Sequence, residues 1–127
     1  MYLCYADYLC KSGKKLFDDK VFAFELGPVV ESVYEKYKGT REIEDEKEVD
    51  DRYALLPVKS RILFAEDGVE KIASIEKTIE KYKDYSASDL VKLTHRVGSP
   101  WDSTDKTVRR SEITDEMIKA NHAVEVA

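Results

Sequence analysis

Apolar positions crowd the first stretch of the chain and then thin into spaced patterns. Tyr2, Leu3, Cys4, Tyr5, Ala6, Tyr8, Leu9 and Cys10 leave Asp7 as the only charge before Lys11. A helix there is apolar on almost every side and belongs inside a domain, against several neighbours. Gly13 is a natural C-terminal cap, and Lys11, Lys14 and Lys15 suit the negative helix end. Leu16-Phe17 then re-enters the core, Asp18-Asp19-Lys20 is a turn, and Val21 to Leu26 is a short extended or irregular apolar approach. At Gly27-Pro28 the period changes. Gly27 takes backbone angles closed to larger residues, and Pro28 has the φ of a first helical turn, so a helix is expected to start at Pro28. Val29, Val33 and Tyr37, with Val30 and Tyr34 beside them, form its apolar face, and it stops at Lys38-Gly39-Thr40.

From Arg41 to Arg52 acidic residues predominate, Glu42, Glu44, Glu46 and Glu48 among them, and only Ile43 and Val49 could anchor the segment. We expect a solvated loop, either a plain exposed connection or a docking element for a basic partner. Pro57 disfavours helix through Tyr53 to Leu56, and Ser60 to Phe64 is left open between strand and short helix. Asp67 can cap the next helix, whose stripe of Val69, Ile72, Ala73, Ile75, Ile79 and Tyr82 runs to about Lys83. Ser86 and Asp89 form a capping box that opens a shorter helix with Leu90, Val91 and Leu93, running into Thr94-His95. Gly98-Ser99-Pro100-Trp101 breaks it, and Asp102 to Arg110 is another charged loop. Thr114 caps a last short helix from Asp115 to about His122, beyond which the tail is expected to fray. These elements predict a mainly α fold, a single helical bundle over residues 1–127 with irregular or short extended connections.

Composition narrows the function classes. The chain has 127 residues, 43% hydrophobic and 37% charged, with a formal net charge of −5. That charge and the lack of a clustered basic face argue against a general nucleic-acid binder and favour a basic protein partner. No run is long or apolar enough to span a bilayer, and the N-terminus has no basic leader before a cleavable apolar run, so the cytoplasm is the expected compartment. Cys4 and Cys10 are expected as free thiols, and no metal site or cofactor is implied. No Gly-rich phosphate loop, His-x-x-x-His pair, Gly-x-Ser-x-Gly elbow or Cys-x-x-Cys pair occurs. An enzyme would have to pair His95 with Asp89 or Asp102, with Cys4 or Cys10 as nucleophile, and we expect no catalytic residue. His95 suits a helix cap that bonds late carbonyls. Trp101 either locks its loop onto the core or anchors an interface.

Two ordered patterns carry a family resemblance. The first runs from Gly13-x-x-Leu16-Phe17 through Phe22-Ala23-Phe24 to Gly27-Pro28-Val29 and Val33-Tyr34. The second runs from Ser86-Ala87-x-x-Leu90 through Leu93-Thr94-His95 to Ser99-Pro100-Trp101. Together, over about Leu3 to Ile118, they resemble the Panacea antitoxin domain, the family of SocA-like antitoxins and phage-associated GepA-like proteins. The resemblance implies a mainly helical domain that neutralises, by direct contact, a protein toxin usually encoded beside it. SocA-like relatives suggest an alternative, an adaptor that hands the bound toxin to a protease. Candidate contacts are His95, Pro100, Trp101 and the acidic loop with Glu42, Glu44, Glu46 and Glu48, while Gly27, Pro28, Val29 and Tyr34 are expected to serve the architecture.

Overall fold

Helix α1, Tyr2–Ser12, is the element on which the others converge, as its nearly uniform apolarity requires. The computed structural model describes residues 1–39, 62 and 65–127. Tyr2, Tyr5, Ala6, Tyr8 and Leu9 of α1 are buried. Gly13 ends the helix in the left-handed conformation, φ 73°, with its N–H donating to the Leu9 carbonyl at 2.8 Å. Around α1 lie β1 (Val21–Phe24), β2 (Gly27–Val30), α2 (Glu31–Tyr37), α3 (Gly68–Tyr82), α4 (Ala87–Thr94), β3 (Glu112–Ile113) and α5 (Asp115–Val126). Helix α1 packs on α3 and α5 and touches β2. Tyr2, Tyr5, Ala6 and Leu9 join Val21, Val30, Ile113 and Ile118 in one apolar cluster.

The fold is mostly helical, but it is not purely a helical bundle. Where irregular or short extended connections are expected, the extended segments pair in a three-stranded antiparallel sheet of order β2-β1-β3. The helix expected from Pro28 starts only at Glu31. Gly27 and Pro28 instead open β2, pairing with Phe24 and Ala23 across a hairpin whose tip is Glu25-Leu26. The ladder explains how a proline fits. Ala23 turns its N–H away from β2, donating to the Ser111 carbonyl at 2.8 Å, so Pro28 opposite it needs no N–H toward β1. Strand β2 is also the sheet edge, where proline is tolerated. Alternation along β1 then sends Val21 and Ala23 toward the core and Phe24 to the other face.

Other differences are local. Asp67 precedes α3 but makes no side-chain cap, reaching Lys14 at 3.0 Å instead. The α3 stripe is only partly covered by the described residues: Val69 and Ile79 are 64% and 58% exposed, while Thr78 and Tyr82 face inward. The Ser86–Asp89 capping box forms as expected, and Thr114 caps α5 through the Met117 N–H at 3.3 Å. Helix α5 continues to Val126 instead of fraying after His122. Two tyrosine hydroxyls donate to carboxylates, Tyr2 to Glu125 and Tyr5 to Asp115, each at 2.6 Å. Cys4 and Cys10 are free thiols.

Candidate partner-binding groove

The exit of α4 and the hairpin tip are joined by two side chains from adjoining turns. His95, at the C-terminal cap of α4, places Nδ1 2.7 Å from the Val91 carbonyl oxygen and Nε2 2.9 Å from that of Glu25. It is therefore a helix cap that also reaches the hairpin. Trp101 stacks on it, the ring centroids 3.7 Å apart and tilted by 35°, and donates from Nε1 to the Phe24 carbonyl at 2.7 Å. The chain reaches this position through a compact turn. The Ser99 hydroxyl, fully buried, donates to the Thr94 carbonyl at 2.8 Å, and Asp102 accepts from the Gly98 N–H at 2.9 Å. Pro100 is fully buried as well and offers no surface.

Gly27 completes the joint from the other side. Its φ is +128°, and a Cβ there would stand 3.0 Å from the Thr94 hydroxyl oxygen and 3.6 Å from the His95 ring. The glycine is thus required both by the backbone conformation and by the closeness of α4.

Beside this joint lies an open groove of about 860 Å³ between the hairpin and the 104–110 segment. Phe24, Tyr34 and Trp101 supply aromatic faces, Phe24 and Tyr34 meeting edge-on at 4.7 Å. Val29 adds aliphatic surface, and Leu26, at the tip, is 78% exposed. Lys106, Arg109 and Arg110 line it as well. Lys106 Nζ sits 3.6 Å above the Trp101 ring and donates to the Trp101 carbonyl at 2.6 Å, and the Arg110 guanidinium lies 4.3 Å above the Phe24 ring. No helix among the described residues is long and apolar enough to cross a membrane, and no group of His, Cys, Asp and Glu among them could hold a metal ion.

Of the residues singled out from the sequence, His95, Pro100, Trp101 and Gly27 come together at the joint, Pro28 sits in the adjacent edge strand, and Val29 and Tyr34 line the groove. Glu42, Glu44, Glu46 and Glu48 lie outside the described residues. Of the residues considered for chemistry, Asp89 is held in the Ser86 capping box, Asp102 accepts from the Gly98 N–H, Cys10 lies against the Ile118 carbonyl, and Cys4 is a half-buried free thiol. Sequence reasoning missed Phe24 and the three cations as groove residues. Lys106-Thr107-Val108-Arg109-Arg110 has three cations in five positions, a signal legible in the sequence within the charged loop from Asp102 to Arg110.

A second polar cluster, also missed, is buried between helices. His122 Nε2 lies 2.7 Å from Asp7 Oδ1 and its Nδ1 3.0 Å from Glu125 Oε1. Tyr2 donates to the same Glu125 oxygen, and Thr78 donates to Asp7 at 2.7 Å. Burial opposes a charge on His122, but the hydrogen bonds and charges of Asp7 and Glu125 outweigh it and raise its pKa to about 9.

No curated protein and no solved structure matches the chain. The family model for the antitoxin SocA-like Panacea domain matches residues 1–102, which include the hairpin, α4 and the His95–Trp101 joint. The chain belongs to the antitoxin SocA-like, Panacea domain family.

Proposed function

We propose that this protein neutralises a cognate protein toxin by direct contact, covering it with the face formed by the hairpin tip and the 101–110 segment. The observation that carries this reading is the groove itself, a large open concavity in which aromatic faces and the exposed Leu26 lie beside a rigidly pinned joint. Aromatic side chains held by hydrogen bonds offer a binding surface that loses little conformational freedom on association. Binding is favoured over chemistry because both nitrogens of His95 face backbone carbonyls and His122 is enclosed by Asp7 and Glu125. The test is co-expression with the product of the neighbouring reading frame. A product that is toxic alone and harmless beside this chain, with which it co-purifies, is the expected result. No rescue and no complex would overturn the proposal.

A further inference from the structure

We propose that the groove receives an acidic, partly apolar segment of the partner protein, its carboxylates against Arg109, Arg110 and Lys106 and its apolar side chains against Phe24 and Trp101. This rests on the toxin-binding reading and names the chemistry of the partner. The molecule as a whole carries −5, yet three cations within five residues line this groove against two acids, Glu25 and Asp105. Among the described residues none of the three is held in an ion pair. Asp105, next to Lys106 in sequence, is turned back onto the Thr107 N–H and hydroxyl at 2.9 and 2.6 Å. Arg110 and Lys106 instead rest on aromatic faces. The Arg110 guanidinium over its ring keeps outer N–H groups available and Lys106, which donates to the Trp101 carbonyl and the Thr104 hydroxyl, keeps one, so an arriving carboxylate gains charge-assisted hydrogen bonds without breaking an ion pair.

The apolar half of the occupant follows from what flanks the cations. Val108, 53% exposed, and Leu26, 78% exposed, line the same groove as the aromatic faces, so an apolar side chain entering it meets aliphatic as well as aromatic surface. Cations over aromatic rings also suit single-stranded nucleic acid, but a continuous run of phosphates meets the repulsion of the whole negative molecule, whereas a peptide places a few carboxylates locally.

The test titrates the full chain with three fluorescent probes: a short synthetic peptide alternating Glu with Leu and Phe, the same peptide with Lys for Glu, and a single-stranded oligonucleotide. The Glu peptide should bind, the other two should not, and R109E or R110E should weaken its binding about tenfold with an unchanged melting midpoint. Equal binding of the Lys peptide, preference for the oligonucleotide, or no effect of either reversal overturns the inference. Should R110E fold poorly, R109E, at an exposed position, decides. The toxin supplies a separate arm. If wild type and R109E hold it equally tightly, the groove chemistry is wrong and the antitoxin reading stands. If neither holds it, the antitoxin reading falls, and the peptide titration still decides the groove.

Discussion

Adding one methyl group at Gly27 would confront the Thr94 hydroxyl at 3.0 Å on a backbone already at φ +128°. Gly27→Val should therefore cost on the order of 1 to 3 kcal/mol, seen as a lower melting midpoint. Unchanged melting with lost toxin rescue would make the position a contact instead. Trp101 has two separable contributions, its indole N–H on the Phe24 carbonyl and its ring between His95 and Lys106. Trp101→Phe keeps a ring and removes the donor, so it should destabilise by about 1 kcal/mol, whereas Trp101→Ala should cost about 2 kcal/mol or more. Equal effects of the two in a urea titration would mean that stacking contributes nothing. His95→Gln retains a side chain able to bond one carbonyl and should preserve rescue. Abolished rescue in a folded, partner-binding variant would bring the catalytic alternative forward.

Between elements, a buried cluster joins α1, α3 and α5 through Asp7, Thr78, His122 and Glu125. Burial and the Glu125 carboxylate both push the Tyr2 hydroxyl up, so it stays protonated and donates. For Asp7, burial alone would raise the pKa, but the hydrogen bonds from His122 and Thr78 lower it. The folded pKa of His122 lies above its unfolded value of 6.5, so folding takes up a proton there. Its contribution is fully present below pH 6.5 and is lost as pH rises through about 9; that of Asp7 is lost as pH falls through its lowered value. The melting midpoint should accordingly decline from pH 6.5 toward 9, and His122→Gln should flatten that decline. A wild-type midpoint flat across this window would show that His122 takes up no proton on folding. Legibility differed between elements for physical reasons. Gly13, the Ser86–Asp89 box and Thr114 act through neighbours a few residues away, so local chemistry was enough to place them. Pro28 suits a helix start equally well when read alone, and only the edge position of β2 and the direction of the Ala23 N–H make it a strand residue. The end of α5 was missed because His122 and Glu125 are ordered by Asp7 and Tyr2, more than a hundred positions away.

Across the whole molecule, the candidate site was half legible. Thr94-His95 and Ser99-Pro100-Trp101 marked the joint, but that Phe24 lies on the face away from the core depends on a sheet that local patterns did not reveal. The signs of charge also divide by region, with the acidic stretch Glu42 to Glu48 in the sequence and the basic stretch Lys106 to Arg110 in the groove. Replacing Glu42, Glu44, Glu46 and Glu48 by Gln should slow association at low salt and matter little at high salt, because exposed charges are screened within about 10 Å. Stopped-flow association rates unchanged at low salt would leave that stretch without a steering role. The packing of α1 on α5 has a consequence for the order of events during synthesis. Tyr2 meets Glu125 across 123 positions and Cys10 meets Ile118 across 108. On the ribosome, α1 emerges first with Tyr5, Ala6 and Leu9 lacking the surface that will cover them, and closing so long a loop costs roughly 4 kcal/mol of chain entropy. A nascent chain halted before Thr114 should thus be digested readily by protease while the full chain resists. The neutralising activity proposed for it would begin only when the last helix is released to cover the first.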